Sequence, residues 1–166
     1  MKIGIVSDTH GRVDRLDEAI GLLRDRGAQV IVHCGDIDSP ACLEAMGTSG
    51  MRAYAVAGNV DRFNDDLVQE ARIWGVSFST QSLRLSDETG KTLAVCHGHE
   101  EAVLAALLTE DIAYLCHGHT HRQKDQRVGS VRVINPGALF NCRSPAYPTV
   151  ALLDTASDTL EFIRVP

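Results

Sequence analysis

Residues 2–11 read KIGIVSDTHG. An apolar run rich in Ile and Val, cut off by Asp-Thr-His-Gly, predicts a short buried strand that delivers polar side chains at its end. The same arrangement recurs twice downstream. Residues 29–34, QVIVHC, run into Gly35-Asp36, and residues 52–57, RAYAVA, run into Gly58-Asn59. Between the first two strands, VDRLDEAIGLL places Val13, Leu16, Ile20 and Leu23 at helical spacing, with Gly27 as the stop. Between the second and third, Ser39-Pro40 reads as an N-cap with proline in the first helical position, opening a short helix to about Ala45. Strand, helix, strand, helix, strand implies parallel pairing through right-handed crossovers.

The second half reads differently. A helix is expected over 64–72. SLRLS and KTLAVC flank DETG as a hairpin. EEAVLAALL is a helix and IAYLC a strand. KDQRV and VRVIN form a hairpin closed by Gly129-Ser130, and TVALLD with TLEFIRV forms another. Repeats and low-complexity segments are absent. The expectation is one α/β domain over 1–166, a parallel half followed by an antiparallel half.

The polar clusters share one position. Asp8 and His10 follow the first strand, Asp36 the second, and Asn59 the third. His97 follows KTLAVC, and His117, His119 and His121 follow IAYLC. Ligands of open α/β sheets bind outside the carboxyl ends of the strands, so these groups are expected to converge on one rim. Carboxylates, an amide oxygen and imidazoles together suit borderline divalent ions such as Mn, Fe, Co, Ni or Zn. Cys-His-Gly-His occurs twice, opening the stretches 96–103 and 116–122, and five of the seven histidines lie in these stretches. A zinc finger is a poor explanation, because it needs closely spaced thiolate pairs, whereas here each Cys ends an apolar strand. Each cluster alone has a bland alternative. Asp-Thr-His-Gly could be a capped turn, Asp38 and Asp61 could cap turns, and His33 inside VIVHCGD reads as a hydrogen-bonded core histidine.

Bulk composition narrows the classes. The 166 residues are 44% hydrophobic and 23% charged, with a net charge of -6. That balance argues against an extended nucleic-acid surface but leaves room for a small phosphorylated substrate. No stretch reaches the roughly 18 apolar residues of a membrane span, and the first residues are too short for a secretory signal. Five cysteines without a Cys-x-x-Cys suggest reduced packing thiols and a cytoplasmic location. A homo-oligomer is compatible with this composition.

Asp8-x-His10, Gly35-Asp36, Gly58-Asn59-x-Asp61, His97 and Gly118-His119-x-His121 occur in the order of the calcineurin-like metallophosphoesterase signature. The chain resembles that superfamily from Met1 to Ile134–Gly137, and its wording resembles the small YfcE-type phosphodiesterases. The resemblance implies a two-sheet β-sandwich flanked by helices. It implies a first metal site of Asp8, His10, Asp36 and His121, and a second of Asp36, Asn59, His97 and His119. It also implies two divalent transition-metal ions, manganese first among the candidates, with Asp36 bridging them. Such a pair would lower the pKa of a bridging water and hold phosphoryl oxygens, so that a small phosphodiester is hydrolysed by hydroxide. The alternative is a metal-binding scaffold of the same fold, as in the retromer subunit, with little or no catalysis. A phosphoprotein phosphatase fits less well, since the chain is short and its basic residues are few.

One position departs from the family pattern. Where the family has His after Gly-Asn, this chain has Val60. Valine can neither contact phosphate nor donate a proton. His99 or His117 is left to do so, unless both are structural. The candidate catalytic set is therefore Asp36, Asn59, Asp61 and His99.

Overall fold

The computed structural model describes residues 1–61 and 64–166. The chain runs β1 (Lys2–Val6), α1 (Val13–Asp25), β2 (Val30–His33), α2 (Pro40–Gly47), β3 (Arg52–Val56), α3 (Asp65–Ile73) and β4 (Ser77–Ser79). It continues β5 (Ser82–Ser86), β6 (Thr92–Cys96), α4 (Glu101–Leu107), β7 (Tyr114–Cys116), β8 (Gln123–Val128), β9 (Val131–Pro136), β10 (Thr149–Asp154) and β11 (Thr159–Arg164).

These strands form two sheets, ordered β11-β10-β1-β2-β3-β4 and β5-β6-β7-β9-β8. The parallel opening expected from KIGIVSDTHG is present: β1 pairs with β2, and β2 with β3, in parallel. The two halves are not cleanly parallel and antiparallel, however. β6, β7 and β9 pair in parallel within the second sheet, and the last hairpin returns to pair β10 with β1. Two further details differ. Ser39 stands at the start of α2, but its side chain makes no capping bond. The three-residue β4 is too short to leave a periodic signal.

Burial explains the layering. The alternation of β1 sends Ile3 and Ile5 to one face and Val6 to the other. Ile3, Ile5, Val30, Val32 and Val56 meet Leu93, Val95, Tyr114, Cys116 and Ile134 of the opposite sheet. The other face of the first sheet packs on Leu16, Ile20 and Leu23 of α1 and on Leu43 and Leu67 of α2 and α3. Leu107 of α4 covers Ala94 and Leu115 on the second sheet. The result is the α/β architecture expected, two sheets face to face with helices outside. Cys34, Cys42, Cys96 and Cys116 are buried free thiols, and burial raises the pKa of each. No helix among the described residues is long and apolar enough to cross a membrane.

Candidate metal centre

The carboxyl ends of β1, β2 and β3 lie opposite those of β6 and β7, because the two sheets stack over a shared core. The polar clusters therefore meet between the sheets rather than along the rim of one. Ligand atoms of Asp8, His10, Asp36 and His121 all lie within 4.8 Å of one another. His121 Nε2 is 3.2 Å from Asp8 Oδ1, and His10 Nε2 is 3.6 Å from Asp36 Oδ2. On the other side of Asp36, His97 Nε2 is 3.3 Å from Oδ1 and 3.1 Å from Asn59 Oδ1. His119 stands farther out. It is exposed, and its ring centroid is 5.1 Å from that of His97.

Backbone carbonyls set the orientation of two rings. His97 Nδ1 donates to Cys34 O at 2.8 Å, and His121 Nδ1 donates to Asn141 O at 2.8 Å. In a neutral imidazole this leaves the Nε2 lone pair pointing inward, the usual arrangement for a metal-binding histidine. His97 Nε2 and Asn59 Oδ1 are then two acceptors 3.1 Å apart. Such a pair repels unless a cation or a proton lies between them. Asp8 Oδ1 is buried with no backbone N–H or hydroxyl upon it, and only His121 Nε2 faces it, at 3.2 Å. These are the lone pairs a divalent ion would take, and carboxylate, amide oxygen and imidazole suit a borderline metal.

The titration of these groups follows the same logic. Burial would raise the Asp36 carboxyl, but hydrogen bonding and charge from His97, the Val60 N–H and His10 outweigh it and bring it down to about 2. Burial would lower His97, but Asp36 raises it. Asp8 raises His121 by hydrogen bonding, against burial. A proton on either ring thus occupies the place of a cation, and metal and proton compete for one position.

The backbone around the ligands is strained in a consistent way. Asp8, His10, Asp36, His119 and His121 all have positive φ, between 46° and 66°. Non-glycine residues rarely adopt this region, and where they do the surrounding structure holds them there. Close approach of backbone to ligand supplies part of that hold. A Cβ on Gly58 would lie 2.1 Å from Asp36 Oδ1, and a Cβ on Gly118 would lie 2.7 Å from Asp8 Oδ2.

Asp61, Val60 and His99 have different surroundings. Asp61 is buried behind the ligands, where its oxygens accept the N–H groups of Ile37, Asp38 and Gly58 at 2.8–3.1 Å. It ties the loop carrying Asp36 to the loop carrying Asn59. The Val60 side chain is 45% exposed, while its N–H donates to Asp36 Oδ1 at 3.2 Å. His99 follows His97 on the loop after β6, with ring centroids 5.3 Å from His97 and 6.1 Å from His119. Its Nε2 is 3.3 Å from Glu100 Oε1. His117 is buried, with Nδ1 on Gly118 O at 3.1 Å. Burial pulls its pKa down to about 4.

Some supports carry no sequence signal. The carbonyls of Cys34 and Asn141 aim ligand rings, yet any residue offers a carbonyl. Asn135 is fully buried. It donates to Gly118 O at 2.7 Å and to Thr120 Oγ1 at 3.1 Å, and it accepts Gly137 N–H at 2.9 Å, so it fixes the loop bearing His119 and His121. Its place in INPG was the available hint.

The chain is also similar to known proteins. Residues 1–158 match the calcineurin-like phosphoesterase superfamily domain. The chain is 28% identical to Phosphodiesterase MJ0936 of Methanocaldococcus jannaschii, covering 93% of both chains. The solved structure of a novel archaeal phosphodiesterase superposes with a TM-score of 0.87 at 26% identity, over 99% of this chain and 100% of that one. The fold is also that of YfcE, a phosphoesterase from E. coli, with a TM-score of 0.68 at 19% identity over the full length of both.

Proposed function

We propose, from the premise that the chain belongs to the calcineurin-like phosphoesterase superfamily, that it hydrolyses small phosphodiesters at a pair of divalent ions held between its two sheets. Membership makes it a metal-dependent phosphoesterase. The observation that carries the finer proposal is the position of Asp36. Its Oδ2 faces His10 and its Oδ1 faces His97, so one carboxylate serves two groups of donors. Asp8, His10 and His121 complete one group. Asn59, His97 and His119 complete the other. Phosphodiesters are favoured over monoesters because the similar proteins named above include phosphodiesterases.

Bound divalent ions supply a deprotonated water near neutral pH and positive charge against the phosphoryl oxygens. The residues do the rest. Asp8 and Asp36 carry the only negative charge within the seven-residue donor set, so a doubly occupied site remains net positive and attracts an anion. The carbonyls of Cys34 and Asn141 hold the rings so that Nε2, not Nδ1, faces inward. Asp61 keeps the Asp36 and Asn59 loops together. Val60 cannot protonate the leaving oxygen, so leaving groups that depart without a proton are favoured, with His99 as the alternative candidate donor. Manganese is the preferred metal in this account. The whole of 1–166 acts as one domain, since β10 pairs directly with β1. Free thiols fit a reducing compartment such as the cytoplasm.

A panel of nitrophenyl phosphodiesters and monoesters in Mn²⁺ tests this, with bound metal measured in the same samples. Turnover of diesters above monoesters is expected. Bound metal without hydrolysis of either class would favour the scaffold alternative.

A further inference from the structure

Beside the first metal group lies a groove of about 220 Å³, lined by Arg12, Arg15, Phe140, Asn141, Tyr147 and Pro148 among others. It shares a wall with the centre. The Phe140 ring meets His10 edge-on, with centroids 5.8 Å apart, and the Phe140 N–H donates to Asp8 O at 3.1 Å. The next residue, Asn141, holds His121 through its carbonyl. A group seated in the groove therefore lies beside residues that hold His10, Asp8 and His121. Its volume is below the roughly 300 Å³ of pockets that engulf a whole drug-sized ligand, so it suits one arm of a substrate.

The lining states what that arm is. Phe140 and Tyr147 are 39% and 40% exposed, so both rings present surface to the groove. The Arg12 guanidinium lies 4.7 Å over the Phe140 ring, and Arg164 lies 4.6 Å over Tyr147. No carboxylate lines the groove, and neither Arg12 nor Arg15 is in an ion pair among the described residues, although the chain has a net charge of -6. Aromatic faces stack planar bases, and guanidinium forks match phosphate oxygens. An alkyl arm would need no guanidinium, and a bare anion would need no ring.

We propose that this groove seats the non-reacting arm of the substrate, and that the arm is a planar aromatic group carrying a second negative charge, the chemistry of a nucleotide. This rests on the phosphodiester activity argued above. It makes Arg15 and Tyr147 specificity determinants, not members of the reacting set.

Calorimetric binding of α,β-methylene-ADP to the purified protein tests the groove without needing turnover. Adenosine serves as the uncharged comparison. The analogue is expected to bind at least about tenfold more tightly than adenosine. Arg15→Gln and Tyr147→Ala should each weaken it about tenfold, the scale of one charge-assisted contact or one stacked base. Arg84→Gln, on a side chain paired with Glu110, should leave binding unchanged. In parallel, the ratio of kcat/KM for a nitrophenyl ester on the terminal phosphate of a nucleoside diphosphate, whose arm keeps a second charge, to that for methyl nitrophenyl phosphate should fall in both groove variants. Equal affinity for adenosine and the analogue, or unchanged affinity in both variants, would overturn the inference. Groove-dependent binding with no hydrolysis of either ester would support the groove and contradict the phosphodiesterase activity.

Discussion

His97 Nε2 lies 3.3 Å from Asp36 Oδ1, although the two residues follow strands of different sheets. The contact is arranged from the opposite sheet: His97 reaches across to donate its Nδ1–H to Cys34 O, two residues before Asp36. The donor set is thus assembled only when the sheets stack, and core packing and ion binding depend on each other.

Close approach gives the first prediction. A Cβ at position 58 would fall 2.1 Å from Asp36 Oδ1 and 2.2 Å from its backbone nitrogen. Gly58→Ala should cost about 1–3 kcal/mol by overpacking and should reduce bound metal, because Asp36 must move. Gly21→Ala has open space within 4 Å and lies inside α1, so it should stabilise by about 0.5–1 kcal/mol. Urea unfolding and metal analysis of both proteins make the comparison. Gly58→Ala with native metal content would contradict the packing account.

Asp61 separates a holding role from a catalytic one. Asp61→Asn places an amide NH₂ among three N–H donors, so at least one hydrogen bond to a charged acceptor, about 1.5–3 kcal/mol, is lost. Lower stability and lower metal affinity are expected together. A drop in kcat with native stability and metal content would instead assign Asp61 a direct part in proton transfer.

His33 supplies a pH signature. It is fully buried. Gly35 N–H donates to its Nδ1 at 3.1 Å, so the proton sits on Nε2 against Thr9 Oγ1 at 3.0 Å. Protonating Nδ1 would set donor against donor. Burial pulls the pKa from 6.5 to about 4, against the pull of nearby carboxylates. The folded pKa is the lower one, so between 6.5 and 4 the unfolded chain binds more protons. This stability is complete above 6.5 and is lost as pH falls through that window, by up to about 1.4 kcal/mol per pH unit. His33→Gln should flatten that slope in urea unfolding series. An identical slope in the variant would show that His33 does not titrate as its surroundings require.

The strands and the polar side chains at their ends were legible in the sequence because each is a local feature, an apolar run and then a side chain with lone pairs; the choice of seven among those side chains as a ligand set came only from the family resemblance. VIVHCGD also marked His33 as a core histidine. What stayed hidden depends on the third dimension. The return of TVALLD to pair beside KIGIV is set by packing, since its apolar pattern would suit either sheet. Asp61 follows Asn59 closely in sequence, but its oxygens turn away to collect backbone amides. The groove joins Arg12 and Arg15 at the start of α1 to a loop more than 120 residues later, a juxtaposition no spacing rule contains.

Val60 tests the source of the leaving-group proton. Its side chain is exposed at the rim, beside the carboxylate that its own N–H contacts. General-acid assistance contributes about 10²–10⁴-fold and matters most for alkoxide leaving groups. Val60→His should therefore raise the ratio of alkyl to aryl ester turnover by at least about tenfold, with metal content unchanged. A flat ratio, combined with collapse of the alkyl rate in His99→Ala, would place the proton donor at His99 and show that position 60 lacks nothing.

Asp36 carries the central claim, one carboxylate shared by two ions. Elemental analysis of the purified protein beside Asp36→Asn tests it most directly, since an amide cannot offer charge on both sides. Close to two transition-metal ions per chain are expected in the parent protein, with both lost together in the variant. One ion retained at full occupancy in Asp36→Asn, or a parent protein that never binds more than one, would contradict the shared-carboxylate centre.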